Sequence, residues 1–166
     1  MEIIQAPTLW YGGELPHPRP WIFLAGSIEM GTAPDWQRLA SHQLLSTWGT
    51  ILNPRRDDCD NSWLQTIENV PFRKQVEWEL HALELCDVAL FYFAPNTQSP
   101  ISLMELGLFH HKAVVCCPEG FWRKGNVDIV CKRYGTPLTT SLEVAIQHVR
   151  GTLKLEYDLN APRLSS

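Results

Sequence analysis

Residues 88–117 read VALFYFAPNTQSPISLMELGLFHHKAVVCC, and the stretch contains two short apolar runs separated by a longer segment. The first run, 88–93, is rich in aromatic and β-branched residues, which favours a strand buried on both faces. A loop with two prolines follows, and the next residues predict a helix over 101–110. The second run, 113–117, is again typical of a buried strand. The stretch therefore predicts a parallel β-α-β unit.

The same alternation continues on both sides of this unit. It predicts an α/β fold, a flavodoxin-like doubly wound parallel sheet of five strands in the order 2-1-3-4-5 with helices on both faces. Ligands of such sheets bind beyond the carboxyl ends of the strands, where the strand order reverses. The strands are predicted at 21–25, 50–53, 88–93, 113–117 and 136–139. The helices are predicted between the capping residue Asp35 and Gly49, over 72–85, 101–110 and 126–134, and from Thr140 or Ser141 to Val149.

The length of 166 residues fits one domain. We expect an irregular arm over 1–20, where prolines and glycines are frequent and only Ile3 and Ile4 suggest a short strand. A single α/β domain follows over 21–152. Residues 153–166 are expected to form a C-terminal tail.

Charge and composition argue against several classes of partner. Fourteen basic and 18 acidic residues give a formal net charge of −4, which argues against a nucleic-acid polymer but not against a small nucleotide. No apolar run approaches the roughly 20 residues of a membrane span, and the N-terminus has no signal-peptide pattern. Five cysteines without a Cys-x-x-Cys pair predict reduced thiols in a cytoplasmic protein and argue against a structural zinc site. The sequence gives no sign of a cofactor, and no metal site is expected.

Glu105 is the strongest candidate for a reactive group. It is the only formally charged residue between Asp87 and Lys112, and its immediate neighbours are apolar. The predicted fold puts it early in the helix after the third strand, near the carboxyl edge of the sheet. A lone carboxylate on an apolar helix is costly to bury, so it is paired, neutral or chemically active. The alternative is a carboxylate on a solvated strip of that helix.

Further candidates lie on neighbouring elements. Glu79 lies beside the apolar stripe of the second helix, and it either turns toward the sheet edge or is a plain surface charge. Asp57 and Asp58 follow the second strand, where ligand contact is favoured over a metal site. Trp63 in the same polar loop could stack on a base.

Gly26 and Ser27 form a small-residue turn directly after the first strand. A glycine at such a turn allows a ligand to approach the backbone closely. The pattern matches neither of the glycine-rich phosphate motifs, so it is weak as a phosphate cradle.

Three of these features together resemble the nucleoside 2-deoxyribosyltransferases: Ala25-Gly26-Ser27-Ile28 after the first strand, Asp87 before an apolar strand, and Ser102-Leu103-Met104-Glu105-Leu106-Gly107. The 2′-deoxynucleoside 5′-monophosphate N-glycosidases of the same superfamily are similar too. The resemblance covers about 21–135, so it implies that the predicted α/β domain binds nucleosides and nucleobases.

The resemblance implies roles for the two glutamates. Glu105 matches the family nucleophile, which attacks C1′ of a 2′-deoxyribonucleoside and forms a covalent deoxyribosyl intermediate that a second base resolves. Glu79 stands where the family has an aspartate that helps to protonate the leaving base. Met104, beside the nucleophile, is counted with the substrate-binding residues.

The resemblance also implies substrate contacts, and at two positions this sequence differs from the family pattern. Asp58 matches a residue that contacts the base, and Asn126 matches an asparagine that a neighbouring subunit lends to the sugar end, which implies a homo-oligomer. Phe23 stands where family members often have a tyrosine that holds the nucleophile. Ser99 stands where the transferases often have an aspartate, and a serine is more like the 5′-monophosphate hydrolases, whose hydroxyls bind phosphate.

Two other functions remain open at this stage. Water could be the acceptor, which would make the protein a deoxynucleotide hydrolase with Glu105 still as nucleophile. The domain could also sense nucleotides without catalysis, since a fold does not fix a function.

Overall fold

In the computed structural model, six strands form one parallel sheet within the described residues, which are 2–6, 17–29, 33–44, 49–56 and 63–160. The strands are β1 Glu2–Gln5, β2 Trp21–Gly26, β3 Thr50–Asn53, β4 Val88–Tyr92, β5 Ala113–Cys116 and β6 Leu138–Thr139. Their order in the sheet is β1-β3-β2-β4-β5-β6, and every neighbouring pair is parallel. The predicted parallel α/β architecture is therefore confirmed.

The helices are α1 Trp36–Leu44, α2 Val70–Leu85, α3 Pro100–Phe109, α4 Lys124–Tyr134 and α5 Leu142–Asn160, with a 3-10 turn at His110–Lys112. As predicted, Asp35 caps α1, since its carboxylate accepts a hydrogen bond from the backbone N–H of Arg38 at 3.1 Å. The final helix extends beyond the predicted end at Val149, so much of the expected tail is helical.

The sheet has one strand more than the five predicted. β1 pairs with β3 at the sheet edge, with Ile3 opposite Ile51, and its last residue lies opposite Asn53. The remaining strands keep the predicted order, because β3-β2-β4-β5-β6 corresponds to 2-1-3-4-5. Part of the expected irregular arm is therefore sheet, at the Ile3-Ile4 pair that suggested a short strand. This strand was not counted in the predicted sheet, because four residues with only two apolar side chains give a weak pattern that neighbouring prolines and glycines obscure.

The core has one layer on each face of the sheet. Alternate residues of β2 face opposite layers, as the period of a strand requires. Phe23 packs in the layer that includes Trp78 of α2 and Leu106 of α3. Ile22 and Leu24 pack in the other layer, with α1 and α5. The helices α2 and α3 therefore cover the same face of the sheet.

Lys112 fixes the C-terminal end of α2. Its Nζ donates hydrogen bonds to the backbone carbonyls of Leu83, Glu84 and Cys86 at 3.2, 2.9 and 2.9 Å. The last carbonyls of a helix have no partner within it, so a lysine there both satisfies them and complements the helix dipole. This contact ties α2 to the segment that begins β5.

Candidate active site

A cavity of about 340 Å³ opens beyond the carboxyl end of β2, beside the first turns of α3. β2 lies between β3 and β4 in the sheet, so the cavity is at the point where the strand order reverses. Its walls come from β2 and the turn after it, the ends of β3 and β4, α2 and α3. The lining residues are Phe23, Ala25, Gly26, Ile28, Glu29, Pro54, Gln65, Glu79, Ser99, Pro100, Ile101, Ser102 and Glu105.

Glu105 lies on the buried side of α3, with 6% of its surface exposed. Burial, and after it the negative charge of Glu79, raises the pKa of Glu105 to about 8. No hydrogen bond from the described residues lowers this pKa again. Phe23 lines the same cavity and has no hydroxyl to offer. The carboxyl of Glu105 is therefore desolvated, and the part of the chain that the structure describes gives it no donor that stabilises its charge.

Glu79 reaches the cavity from α2. Burial raises the pKa of Glu79 to about 7, although a hydrogen bond from Gln75 opposes the shift. Gln75 Nε2 donates to the Glu79 carboxylate at 2.8 Å and to the carbonyl of Pro54 at 3.1 Å. One amide group therefore joins Glu79 to the chain directly after β3.

The two carboxyl groups titrate as a pair, because ionising one makes ionising the other more costly. With the pKa of both Glu79 and Glu105 raised toward neutrality, the pair retains one proton near neutral pH. A cavity with one carboxylate and one protonated carboxyl can supply both a nucleophile and a general acid.

Gly26 allows β2 and β4 to run side by side up to the cavity. Its φ is 139°, and a Cβ there would lie 2.1 Å from the carbonyl oxygen of Tyr92. No other residue type fits this conformation and this spacing. The carbonyl of Gly26 accepts a hydrogen bond from the Ser102 hydroxyl at 3.1 Å, which fixes α3 against the end of β2.

Three buried hydroxyls lie behind the start of α3. The Oγ of Ser27 lies 2.7 Å from Thr97 Oγ1 and 2.7 Å from Ser99 Oγ, and it accepts a hydrogen bond from the backbone N–H of Ala94 at 2.9 Å. Ser27 is fully buried and is not among the cavity-lining residues, whereas Ser99 is. Ser27 thus organises the turn that presents Ser99.

Glu29 is a cavity residue that the sequence analysis did not single out. Its Oε1 accepts hydrogen bonds from the backbone N–H groups of Gln98 and Ser99, each at 2.9 Å. The feature of the sequence that could have identified Glu29 is its position, since it is an acidic residue just after Gly26-Ser27 at the carboxyl end of a central strand. Gln65 was missed as well, since an exposed polar loop residue has no distinguishing pattern.

Other predicted site residues lie elsewhere. Asp57 and Asp58 lie outside the described residues. Trp63 does not line the cavity, and the guanidinium carbon of Arg56 lies 5.0 Å from its ring centroid. Met104 is 57% exposed and does not line the cavity.

Asn126 lies in a different pocket from Glu105. It is an exposed residue of α4 and lines an apolar hollow of about 420 Å³ together with Leu103, Gly107 and Trp122. Within one chain, α3 therefore separates Asn126 from the cavity that Glu105 lines.

Three further findings apply only to the described residues. They contain no group of three or more His, Cys, Asp or Glu side chains arranged to hold a metal ion. None of their helices is long and apolar enough to cross a membrane. Cys86, Cys116, Cys117 and Cys131 are buried free thiols.

A family model described as "Nucleoside 2-deoxyribosyltransferase like" matches residues 19–121, which is more than half of the chain. The chain belongs to this family. The resemblance seen in the sequence is thereby confirmed, and all of the described residues that line the cavity fall within the matched range. A comparison with curated proteins found no match for the chain.

Proposed function

We propose that the protein transfers 2-deoxyribose between nucleobases through a covalent deoxyribosyl intermediate on Glu105. One observation carries the proposal, namely that Glu105 and Glu79 line one cavity and both have a raised pKa. Membership of the nucleoside 2-deoxyribosyltransferase-like family supports the substrate class. A pair of titratable groups perturbed in this way is typical of an acid and a nucleophile in one site.

In the first half-reaction, the Glu105 carboxylate attacks C1′ of a 2′-deoxyribonucleoside. A C1′–O bond forms, the C1′–N bond breaks, and its electron pair goes to the leaving nitrogen of the base. Glu79 gives its proton to the base, so the base leaves neutral. This division of work requires Glu105 ionised and Glu79 protonated. It is the minor of the two arrangements with a single proton, because the pKa of Glu79, about 7, is lower than that of Glu105, about 8.

In the second half-reaction, a nitrogen of the incoming base attacks C1′. The C1′–O bond to Glu105 breaks, its electron pair returns to the carboxylate, and the proton of the incoming base goes to Glu79. Two inversions at C1′ give net retention, as in a retaining glycosidase in which a base replaces water. The enzyme returns to its starting protonation state.

The test is a chromatographic assay with 2′-deoxyinosine, in one tube with free adenine and in a second tube without it. We expect 2′-deoxyadenosine in the first tube only. Equal release of hypoxanthine in both tubes, with no new nucleoside, would make water the acceptor and the protein a hydrolase. Absence of any product with this and other deoxynucleosides would contradict the proposal and favour a sensing domain.

The catalytic variants are Glu105→Gln and Glu79→Gln. The matched control is Glu77→Gln on the same helix as Glu79, because the Glu77 side chain is 65% exposed and pairs with Arg73 at the surface. Mass spectrometry of the wild type mixed with nucleoside alone is expected to detect the protein plus one deoxyribosyl group. The Glu105→Gln protein is expected to lack this adduct.

We further propose that the active form is a homo-oligomer in which a neighbouring subunit contributes Asn126. An exposed apolar face on α3 supports this: Ile101, Met104 and Leu108 are 55%, 57% and 57% exposed at spacings of one helical face. Ile101 also lines the cavity, so a second copy seated on this face would lie at the cavity mouth.

A mixing experiment tests this arrangement. Glu105→Gln and Asn126→Ala chains are each expected to be nearly inactive alone. Co-expressed, they form mixed sites in which an intact Glu105 meets an intact Asn126 from the other chain, so activity returns. Failure to recover activity in a verified mixed oligomer would contradict a shared site.

A further inference from the structure

The turn after β2 brings a carboxylate to the start of α3. Glu29 Oε1 accepts both backbone N–H groups of Gln98 and Ser99, the residues that directly precede this helix. Backbone N–H groups at the start of a helix are a common anchor for phosphate. Here the carboxylate of Glu29 already occupies the two N–H groups that lead into α3.

Two of the residues that make this contact have a left-handed backbone. φ is 47° at Glu29 and 46° at Ser99. A glutamate in this region is uncommon, and such conformations persist where surrounding contacts require them. The hydrogen bonds between Glu29 and the Gln98-Ser99 backbone are contacts of this kind, so the carboxylate is held in place.

The hydroxyl of Ser99 is committed as well. Thr97 Oγ1 donates its single proton to the carbonyl of Ala94 at 2.8 Å, so in the 2.7 Å contact with Ser27 it is Ser27 that donates. Ser27 then has no proton left for its 2.7 Å contact with Ser99, and Ser99 must donate there. The single proton of Ser99 is therefore committed within the protein, with Glu29 Oε1 at 3.4 Å as the other acceptor in reach.

Glu29 and Ser99 line the same cavity as Glu79 and Glu105. In the proposed reaction, the base that leaves C1′ lies toward Glu79, which is tied to the end of β3 through Gln75. Glu29 instead contacts the backbone of Gln98 and Ser99, which follow β4, and the proposed binding mode directs the sugar with its 5′ substituent toward it. Ser99 precedes Glu105 by six residues, or about 9 Å of helix rise, a distance that a deoxyribose with its 5′ substituent can span.

We propose that Glu29 is a specificity-determining residue, which makes the site accept 2′-deoxynucleosides and reject their 5′-monophosphates. The carboxylate takes the N–H groups that a phosphate would use and repels the phosphate charge at short range. This inference rests on the proposed function, since it takes the substrate to be a nucleoside attacked by Glu105. It also means that a serine at position 99 does not make this chain a hydrolase of monophosphates.

The test measures binding rather than turnover. Isothermal titration of Glu105→Gln protein with 2′-deoxyinosine and with 2′-deoxyinosine 5′-monophosphate gives two affinities without product formation. We expect the nucleoside to bind at least about tenfold more tightly, as one unfavourable charge contact would produce. Adding Glu29→Gln is expected to reduce this ratio by about tenfold while the nucleoside affinity changes much less.

The control is Glu119→Gln, which removes an acidic side chain that is 86% exposed and is not part of the cavity lining. The ratio of nucleoside to monophosphate affinity in this control is expected to match that of the parent Glu105→Gln protein. Equal affinities in the parent, or an unchanged ratio in a folded Glu29→Gln variant, would overturn the inference. If Glu29→Gln fails to fold, equal affinities of the parent for the two ligands would still overturn the inference.

The outcomes also separate this inference from the proposed reaction. Preference for the nucleoside without base exchange in the wild type would reject the transfer reaction and leave the role of Glu29 standing. Base exchange together with equal binding of the monophosphate would reject the role of Glu29 and leave the reaction. Failure of both ligands to bind would reject the substrate class and both proposals together.

Discussion

Glu79 and Glu105 come from two helices on one face of the sheet and line the same cavity, where burial and then the charge of Glu79 raise the pKa of Glu105. Each helix is fixed at a different place. Ser102 ties α3 to the carbonyl of Gly26, and Lys112 ties the end of α2 to the segment before β5. The relationship between the two carboxyls is therefore built into the fold rather than into one loop.

Glu105→Gln and Glu105→Ala are expected to lower the rate of base exchange by several orders of magnitude, because the covalent route is lost. The rate is measured by chromatography under saturating deoxynucleoside. Glu77→Gln is expected to retain the wild-type rate. Ordinary turnover in Glu105→Ala would overturn the assignment of the nucleophile.

The rate of exchange is expected to depend on pH as a bell with its maximum between about pH 7 and pH 8, since the pair must hold one proton. Below this range both carboxyls are protonated and no nucleophile is present. Above it both are ionised and no acid remains. Glu79→Gln removes the acid whose ionisation limits the rate at high pH, so the alkaline limb is expected to be lost and the overall rate to fall. An alkaline limb that persists in this variant would argue against Glu79 as the acid.

Stability is expected to fall as pH rises from 4.5 to about 8. The folded pKa of Glu105 is raised from 4.5 to about 8, so its favourable contribution is complete below pH 4.5 and is lost as pH rises through 8. Glu105→Gln is therefore expected to raise Tm at pH 8.5 relative to the wild type by a few degrees, which corresponds to about 1 kcal/mol in the free energy of unfolding. At pH 5 the increase in Tm is expected to be smaller. Thermal unfolding at both pH values checks this, and an equal change at both would contradict it.

Phe23→Tyr is expected to supply Glu105 with a hydrogen-bond donor, which the described residues do not provide. Phe23 is 1% exposed and lines the cavity, so a hydroxyl there would meet a desolvated carboxyl. A donor to the charged form lowers the pKa of a carboxyl. The acidic limb of the pH profile is then expected at lower pH than in the wild type. An unchanged limb in a folded variant would mean that the added hydroxyl does not reach Glu105.

Gly26→Ala is expected to destabilise the fold by several kcal/mol, because its Cβ would overlap the Tyr92 carbonyl and its φ of 139° does not suit alanine. Gly151→Ala is the matched control. Gly151 lies within α5, where an added Cβ meets nothing within 4 Å. It is expected to stabilise the fold by about 1 kcal/mol. Urea unfolding of both variants tests the contrast, and a loss of similar size in both would contradict it.

The sequence predicted the features that depend on local pattern. The five predicted strands and their order follow from apolar runs and intervening helices, and Glu105 stands out because it is the one formal charge in a long apolar stretch. Glu79 was identified through the family resemblance as well as its position, and both glutamates do line the cavity.

The features that the sequence did not reveal depend on contacts between distant segments. The role of Glu29 is visible only once the Gln98-Ser99 backbone is folded beside it, about 70 positions away in the chain. β1 becomes a strand because β3 offers it a sheet edge, not because its four residues have a strong pattern. Likewise, the contact between Arg56 and the ring of Trp63 is visible only in the folded chain.

The position of β1 matters for handling the protein. Glu2–Gln5 covers one edge of β3, and its backbone N–H and C=O groups satisfy partners that would otherwise face solvent. A strand whose edge groups are unpaired is a template for pairing with other chains. Deleting these residues, or straining them with a tightly joined fusion tag, would open that edge and favour aggregation. Affinity tags are therefore better separated from β1 by a flexible spacer.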